Sequence, residues 1–392
     1  MRKNIIVLGS TGSIGVTTLS IVKKYKSKFN IKLLSTKQNA KKVLKQALLF
    51  NVNNVIIEDK NKYNKFKSLF KKKKINLHHG IKSIDKVLKN NKFEYCINGI
   101  SGIFGLEPTL KTIPFTKNIL IANKESIICG WSLIEKKLKK YNTNFIPIDS
   151  EHFSIWKLIK NEKPETIKKI VLTASGGPFL NKSIKKIANI NAKLALNHPN
   201  WRMGKKISID SSTMMNKIFE FIEAKKIFNL KNKDISIMIH PTSFVHAIVF
   251  FKGRLIKMLA HETNMSIPIS NSLDLSIDYN NSEINMLYDK LNNIVFEKPD
   301  KNDFPLLSIL DLIPDRESYF EIILTTLNDE LVLKYLEGKI NYISIIKNII
   351  YFIKSPYFKK FYKLKPKNLN DLNKVTNITK SYLFSNIKYY EK

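Results

Sequence analysis

The sequence contains little cysteine and no long apolar run. Its two cysteines, Cys96 and Cys129, offer neither a metal-binding spacing nor a disulfide framework, which favours a reducing cytoplasm. No run of about eighteen or more apolar residues is present, so no membrane-spanning helix and no membrane partner are predicted. With 392 residues, 43% of them hydrophobic, the chain is long enough for two or three globular domains.

Acidic residues and arginine are also scarce. There are 32 Asp and Glu against 67 Lys and Arg, giving a formal net charge of +35 that would suit nucleic acid. Arginine, whose planar fork reads bases and phosphates, occurs only four times. The scattered lysines accompany an excess of Ile and Asn, which share A·T-rich codons, so a biased genome explains the charge. We predict no specific nucleic-acid partner; nonspecific, salt-sensitive binding remains the alternative.

What the first 150 residues do have is a regular alternation of two kinds of segment. Short apolar runs rich in Ile and Val are separated by lysine-rich segments with helical spacing. The apolar runs cover residues 4–9, 31–35, 53–58, 95–99, 119–123 and 144–149. This alternation predicts an α/β fold with an N-terminal Rossmann-like, doubly wound parallel sheet covered on both faces.

The pattern changes after residue 150. A strand at 168–175, a helix at 213–228 and two further strands predict a second α/β domain with a mixed or antiparallel sheet. The polar stretch that follows resembles a linker, and helical periodicity continues to the end. The expected domains are residues 1–149 for the dinucleotide-binding domain, 150–277 for the catalytic domain, 278–300 for the linker and 301–392 for a C-terminal helical domain.

The stretch "VLGSTGSIG" places Gly9, Gly12 and Gly15 between the first strand and a helix. This context favours a dinucleotide site, although any tight strand–helix turn can need glycine. After the second strand comes "STKQN", with Lys37 and no acid. A cation there suits the 2′-phosphate of NADPH, whereas NAD sites usually have an acid. The alternative is that Lys37 is an ordinary surface lysine.

The stretch "IPIDSEH" (146–152) places Asp149 and Glu151 two residues apart. If the chain is extended there, both carboxylates leave on the same side and repel each other unless a cation lies between them. Hard oxygen ligands of this kind suit Mg²⁺ or Mn²⁺. The alternative is a helix N-terminus, with Asp149 or Ser150 as the cap and Glu151 in the first turn.

A second polar block follows at residues 197–224. Asn216, Lys217 and Glu220 lie within one helical turn and can address one site, and a buried Glu220 needs a partner. Ser211 lies at the expected start of this helix, where free N–H groups suit a phosphate. The alternative is that Ser211 is an ordinary helix cap.

Two loops complete the pattern. "TASGGPF" (173–179) offers the hydroxyl of Ser175 and two glycines to a phosphate, and "HPNW" places His198 and Trp201 in a loop that could act as a lid. The alternatives are a core tryptophan and an ordinary loop histidine. Together, these features describe a protein that binds a dinucleotide, a divalent metal and a phosphorylated substrate.

In these stretches the sequence resembles the 1-deoxy-D-xylulose 5-phosphate reductoisomerase family of isoprenoid biosynthesis. The similar segments are "LGSTGSIG", "IANKES" (121–126), "IDSEH", "SGGPF", "HPNW.MG.KISIDSSTMMNK" (198–217) and "HPTSFVHAIV" (240–249). The C-terminal part is similar more loosely. In three places the chain departs from the family pattern: Lys37-Gln38-Asn39 replaces a common Gly-Lys-Asn turn, Arg202 occupies a flap position that is usually small or polar, and Asn328-Asp329-Glu330 replaces an alanine-bearing segment of the tail.

The resemblance implies a role for particular residues. The metal ligands would be Asp149, Glu151 and Glu220. The catalytic residues would be Glu151, Lys124 and His198. The substrate would contact Lys124, Ser150, Glu151, Ser175, His198, Ser211, Asn216, Lys217 and Glu220. NADPH would contact Thr11, Gly12, Ser13, Ile14, Lys37, Gln38, Asn39, Asn123, Glu125 and Gly204. Trp201 would belong to a flap over the site.

The resemblance also implies the reaction and the assembly. A homodimer would use NADPH and Mg²⁺ or Mn²⁺ to rearrange 1-deoxy-D-xylulose 5-phosphate, by a retroaldol–aldol route, and reduce the product to 2-C-methyl-D-erythritol 4-phosphate. Lys124 would stabilise developing oxyanion charge. The alternative is an NADPH-dependent reductase that acts on another metal-chelated phosphorylated substrate.

Overall fold

The computed structural model describes residues 2–89, 91–201, 203–276 and 278–387; Arg202 therefore lies outside the described residues. The chain forms two compact units, residues 1–153 with 265–278 and residues 154–264 with 279–392. The strands are β1 Lys3–Leu8, β2 Phe29–Thr36, β3 Asn54–Ile57, β4 Asn76–His79, β5 Phe93–Asn98, β6 Thr116–Ile121, β7 Asn144–Pro147, β8 Ile167–Ala174, β9 Ile235–Ile239, β10 Val245–Phe251 and β11 Ile256–Ala260.

The helices follow the same order along the chain. They are α1 Ser13–Lys24, α2 Ala40–Leu49, α3 Lys60–Lys72, α4 Ile84–Leu88, α5 Leu106–Thr112, α6 Lys124–Tyr141, α7 Ser150–Ile159, α8 Ile184–Ile187, α9 Ala192–Ala195, α10 Lys205–Ser212, α11 Met215–Ile227, α12 Ser266–Ser272, α13 Asn281–Asn292, α14 Phe320–Leu336, α15 Tyr342–Ile353, α16 Pro356–Lys359 and α17 Leu369–Asn386. Among the described residues, no helix is both long and apolar enough to span a membrane.

The first unit contains a parallel sheet of seven strands in the order β4-β3-β2-β1-β5-β6-β7. The strand order reverses beside β1, and in sheets of this kind ligands bind at the carboxyl ends of the strands at such a point. Ile5 to Leu8 of β1 are completely buried, as expected for a strand covered on both faces. The predicted Rossmann-like sheet is confirmed.

One strand of this sheet has no apolar run in the sequence. β4 reads Asn-Leu-His-His, none of its four residues is fully buried, and it pairs only with β3 at the sheet edge. An edge strand needs no continuous apolar stretch because one side meets solvent. For this reason β4 was not among the predicted strands.

The segment 265–278 belongs to the first unit, although the predicted catalytic range 150–277 includes it. The physical reason is its apolar face, because Ile269, Leu273 and Leu275 are buried in the same core as Val22 of α1. Asp274 adds a polar link by accepting a hydrogen bond from Tyr95 at 2.6 Å.

The second unit contains a mixed sheet of four strands, ordered β11-β10-β8-β9. β8 and β9 are parallel and β10 is antiparallel to both of its neighbours, as predicted. The predicted linker range 278–300 contains a helix, α13. It begins with a capping box between Asn280 and Glu283, and none of its residues is buried, which explains the weak apolar pattern.

We expect Gly15→Ala to destabilise the first unit, because an added Cβ would lie 2.4 Å from Ser10 Cα and 2.5 Å from the Gly9 oxygen. Overpacking of this kind costs about 3 kcal/mol. The control is Gly12→Ala, where the nearest atom would be 3.4 Å away. Urea unfolding should give a clearly lower midpoint for the first variant only. Equal midpoints would contradict this account of the loop.

Candidate active site

In the first unit, the glycine loop follows β1 and lies against the segment that follows β5. Gly9 has a φ of +71°, and a Cβ there would lie 2.8 Å from the Gly99 oxygen, so no other residue allows this close approach. Gly12 is the N-cap of α1, with no side chain satisfying the first N–H groups. Thr11 Oγ1 lies 2.7 Å from Thr36 Oγ1 at the end of β2. The N-terminus of α1, which is suited to a pyrophosphate, thus brings together four predicted cofactor residues: Thr11, Gly12, Ser13 and Ile14.

Two residues of α2 that the sequence did not single out hold this loop. Lys42 Nζ donates to the Thr11 oxygen at 2.9 Å. Gln46 Nε2 donates to the Ser10 oxygen at 2.9 Å, and Ser10 Oγ donates to Gln46 Oε1 at 2.8 Å. No motif marks either residue, since both look like ordinary polar positions of an amphipathic helix.

The turn after β2 has protein partners of its own. Asn39 is the N-cap of α2 and accepts from the Lys42 N–H at 3.2 Å. Gln38 Nε2 lies 3.5 Å from Asp59 Oδ2. The Lys37 ammonium lies 5.3 Å from the ring centroid of Phe104, which is 71% exposed. The contacts of Lys37, Gln38 and Asn39 with a cofactor remain predictions.

Asn123, the N-cap of α6, joins two loops. Its Oδ1 accepts from the Ser126 N–H at 2.6 Å, and its Nδ2 donates to the oxygens of Ile100 and Gly102. Glu125 is buried in the first turn of the same helix. These bonds fix the loop after β5; the cofactor contacts of Asn123 and Glu125 are not tested by them.

The acidic segment is a helix N-terminus rather than an extended strand. β7 ends at Pro147 and α7 begins at Ser150, with the Phe153 N–H donating to the Asp149 oxygen at 2.7 Å. Of the two arrangements considered for this segment, the helix N-terminus with Glu151 in the first turn is confirmed, and the extended chain is not found. Ser150 Oγ donates to Glu151 Oε2 at 2.5 Å. A carboxylate in the first turn is stabilised by the helix dipole.

Asp149 is held ionised by its neighbours. Lys124 Nζ pairs with Asp149 Oδ2, and His152 Nδ1 lies 3.3 Å from Asp149 Oδ1. Burial alone would raise the pKa of Asp149, but the Lys124 ammonium and His152 together hold this pKa well below its usual value. Asp149 is thus a carboxylate at neutral pH, as a metal ligand must be.

In the second unit, Asn216, Lys217 and Glu220 share one face of α11, as predicted. Asn216 Nδ2 donates to Glu220 Oε1 at 2.5 Å, and Lys217 Nζ pairs with Glu220 Oε2. The side chain of Glu220 is only 1% exposed. A carboxylate this deeply buried is stable as a charge only when it is paired and hydrogen-bonded, and both conditions hold here.

Ser211 lies in the last turn of α10, not at the start of α11. Met214, with a φ of 63°, separates the two helices. The predicted helix at residues 213–228 is confirmed as α11, but the expected position of Ser211 at its start was wrong. Ser211 instead lies against the turn after β8. A Cβ on Gly177 would approach the Ser211 oxygen to 2.9 Å.

The hydrogen bonds of His198 define its tautomer. Its Nδ1 accepts the backbone N–H groups of Asn200 at 3.1 Å and Trp201 at 3.0 Å, so the proton is on Nε2, which donates to Ser175 Oγ at 3.1 Å. Ser175 Oγ also accepts from the Gly177 N–H at 3.0 Å. Because Ser175 Oγ accepts these two hydrogen bonds, its own hydroxyl proton can be donated to another acceptor, such as a phosphate oxygen.

The loop that carries Trp201 is anchored by Asn200. Its Nδ2 donates to the Pro241 oxygen at 2.6 Å and lies 3.3 Å from Ser243 Oγ. The half-buried Trp201 ring is 6.0 Å from His246, edge to face. Gly204, the N-cap of α10, has open space where a Cβ would point. An anchored base with a partly exposed aromatic ring suits a lid.

Comparisons with known proteins agree with the resemblance in the sequence. Family models described as 1-deoxy-D-xylulose 5-phosphate reductoisomerase, its C-terminal domain and the DXP reductoisomerase C-terminal domain match residues 5–130, 145–228 and 261–382, respectively. The reductoisomerase of Pelagibacter ubique (strain HTCC1062) is 49% identical over 376 residues, covering 96% of this chain and 97% of the relative. The chain belongs to the 1-deoxy-D-xylulose 5-phosphate reductoisomerase family.

Other members of the reductoisomerase family are similar over most of the chain. The enzyme of Wolbachia pipientis wMel is 38% identical, covering 88% of each chain. A solved reductoisomerase in complex with NADPH, fosmidomycin and magnesium has a TM-score of 0.88 at 29% identity, covering 98% of this chain and all of that one. The Zymomonas mobilis reductoisomerase in complex with NADPH has a TM-score of 0.86 at 27% identity, covering 97% of this chain and 98% of that one.

We expect His198 to make the folded protein less stable as the pH falls. Burial lowers the pKa of His198 from its ordinary value of 6.5 to about 4. Between these two values the unfolded chain binds more protons than the folded one. The contribution of His198 to the free energy of unfolding should therefore be fully present above about pH 6.5 and decrease as the pH falls toward 4.

His198→Gln should reduce this decline, and the measurement is urea unfolding of both proteins from pH 7 to pH 4.5. The matched control is His79→Gln, which changes an exposed histidine of β4. An unchanged pH dependence in His198→Gln would contradict the assigned tautomer and its burial.

Proposed function

We propose that this chain uses NADPH and a divalent metal, Mg²⁺ or Mn²⁺, to convert 1-deoxy-D-xylulose 5-phosphate into 2-C-methyl-D-erythritol 4-phosphate. The observation that carries the proposal is the full-length similarity to reductoisomerases, one of them solved with NADPH, fosmidomycin and magnesium. The alternative, a reductase for another metal-chelated substrate, is not favoured, because relatives named as reductoisomerases are similar over 96% and 88% of this chain.

The glycine loop fits a dinucleotide. The close approach of Gly9 to Gly99 and the uncapped start of α1 leave backbone N–H groups free to face a pyrophosphate. When bound, NADPH supplies a hydride. The proposed contacts are Thr11, Gly12, Ser13, Ile14, Lys37, Gln38, Asn39, Asn123, Glu125 and Gly204. Lys42 and Gln46 hold the loop in the conformation that these contacts need.

The proposed metal ligands, Asp149, Glu151 and Glu220, form a fitting donor set. Each offers a carboxylate oxygen: Asp149 and Glu151 lie at the start of α7, and Glu220 lies on α11. All are hard oxygen donors, as Mg²⁺ and Mn²⁺ prefer. Lys124 forms an ion pair with Asp149, and Lys217 forms one with Glu220. When bound, the metal polarises a substrate carbonyl as a Lewis acid.

The remaining polar groups are proposed to hold the phosphate and the reacting oxygens. Ser175 has a proton left to donate, and Lys217 provides a compact positive charge, with Ser211, Asn216 and His198 as further contacts. In the other unit, the Lys124 ammonium pairs with Asp149, one of the proposed metal ligands. From this position Lys124 is proposed to stabilise the oxyanion charge that develops on the substrate. The Trp201 loop is proposed to exclude water when it closes.

The test is NADPH oxidation that depends on 1-deoxy-D-xylulose 5-phosphate and on Mg²⁺ or Mn²⁺. We expect EDTA to abolish it. Glu220→Gln should lower kcat by about 100-fold or more, because a Lewis acid contributes several kcal/mol to the barrier. NADPH affinity, measured by fluorescence titration, should stay within about twofold, since Glu220 is not among the proposed cofactor contacts.

The matched control is Glu337→Gln, which alters an exposed carboxylate paired with Lys339 at the end of α14. This variant should retain full activity. Folded wild-type protein that oxidises no NADPH with this substrate would refute the proposed function. A parallel loss of cofactor affinity and turnover in Glu220→Gln would show that Glu220 has been assigned the wrong role.

A homodimer is also proposed, with the edge strand β11 as the contact. β11 is the last strand of its sheet. Ile256 and Met258, two residues apart on one face of the strand, are 56% and 52% exposed, and Leu255 just before the strand is 63% exposed. An exposed apolar edge offers unpaired backbone groups to another strand and is normally covered. A second copy of the chain, pairing along β11, would cover it.

Combined Ile256→Asp and Met258→Lys should therefore convert a dimer into a monomer, as measured by sedimentation velocity at micromolar concentration. The control is Leu364→Asp, which changes a 53%-exposed leucine elsewhere in the same unit. A dimer that persists in the double variant would exclude β11 as the contact, and a monomeric wild type would exclude the dimer.

A further inference from the structure

The start of α15 contacts both segments that we propose to bind the substrate phosphate. Tyr342, the first residue of α15, is completely buried. Its hydroxyl is 3.1 Å from Ser212 Oγ at the end of α10, and its ring lies 5.3 Å from Phe179, edge to face. Ser212 follows the phosphate residue Ser211, and Phe179 belongs to the turn that follows Ser175. These three residues, Tyr342, Ser212 and Phe179, form what we call the Tyr342 corner.

The direction of the hydrogen bond is fixed by its neighbours. Ser212 Oγ donates its own proton to the Ile209 oxygen at 2.7 Å, so it must accept the proton of the Tyr342 hydroxyl. Ser212 is only 2% exposed, and water therefore cannot replace this partner. Burial also raises the pKa of the Tyr342 phenol, which keeps it a donor.

The two phosphate segments also contact each other directly beside this corner. A Cβ on Gly177 would lie 2.9 Å from the Ser211 oxygen and 3.1 Å from Ser212 Cα. This contact limits how closely the two backbones can approach. Tyr342 supports both segments, through its hydroxyl on one and its ring on the other.

The corner itself is fixed by the start of α15. The Ile343 N–H donates to the Ala188 oxygen at 3.0 Å, and Asn341 Nδ2 donates to Asn189 Oδ1 at 3.1 Å. Asn341 also caps the helix through the Ser344 N–H. Tyr342 is thus held in one place relative to the chain segments around it.

We infer that Tyr342 is a positioning residue for the phosphate end of the substrate, setting the distance between Ser175 and Ser211. The inference rests on the proposed function, since it assumes that these serines bind the phosphate. A tetrahedral phosphate needs its donors at a defined separation, whereas the reacting carbons are held elsewhere. Loss of the hydroxyl should therefore weaken binding of the phosphate more than it slows the chemistry.

The test compares Tyr342→Phe with wild type and with a matched control, Tyr362→Phe. The Tyr362 hydroxyl donates to the Ile353 oxygen at the other end of α15, at 2.5 Å, so the control removes a partly buried tyrosine hydrogen bond to the same helix. Tyr342→Phe should raise the KM for 1-deoxy-D-xylulose 5-phosphate and the inhibition constant of inorganic phosphate about fivefold each, with kcat and the NADPH dissociation constant nearly unchanged. Tyr362→Phe should lower the Tm but leave both constants unchanged.

The route through Ser212 is tested by Ser212→Ala and the double variant. If the hydrogen bond carries the effect, the double variant should show no greater rise in KM than Tyr342→Phe alone. Additive effects, an unchanged KM in Tyr342→Phe, or an equal rise in Tyr362→Phe would overturn the inference. The stabilisation of wild type and Tyr342→Phe by inorganic phosphate, read as a Tm shift, needs no turnover. It therefore separates a failure of this inference from a failure of the proposed reaction.

Discussion

The site depends on the pairing of carboxylates with lysine ammonium groups. Asp149 is paired with Lys124 in one unit, and the buried Glu220 is paired with Lys217 in the other. A buried carboxylate without such a partner would take up a proton or unfold its surroundings. Although Asp149 is partly buried, the Lys124 ammonium holds the pKa of this carboxyl well below its usual value, and Lys217 gives Glu220 a cationic partner. The chain has a net charge of +35, and in these two pairs a lysine ammonium neutralises a specific carboxylate.

Hydrogen bonds also arrange Ser175, one of the residues proposed to bind the phosphate. His198 and Gly177 both donate to Ser175, which leaves the serine proton for a ligand. The end of α10, the turn after β8 and the start of α15 then meet at Tyr342. The start of α15 thus supports both segments that are proposed to bind the phosphate.

The sequence predicted the parallel sheet because its strands are continuous apolar runs, and it predicted Asn216, Lys217 and Glu220 as a group because helical spacing alone brings them together. It did not predict what depends on contacts distant in the chain. The separate helix α10, which contains Ser211, and the return of residues 265–278 to the first core follow from packing that no local pattern records. Tyr342 gave no signal, since its partner Ser212 lies 130 residues away. Residues that belong to a chemical motif could be predicted from the sequence, whereas the residues that support them from distant parts of the chain could not.

The central claim is that Asp149, Glu151 and Glu220 bind one divalent ion. The most direct measurement is anomalous X-ray scattering from crystals of the protein grown with Mn²⁺. The account predicts one strong peak within coordination distance of an oxygen from each of the three carboxylates. A peak that touches other residues, or ordered carboxylates that still pair only with Lys124 and Lys217 at saturating Mn²⁺, would contradict it.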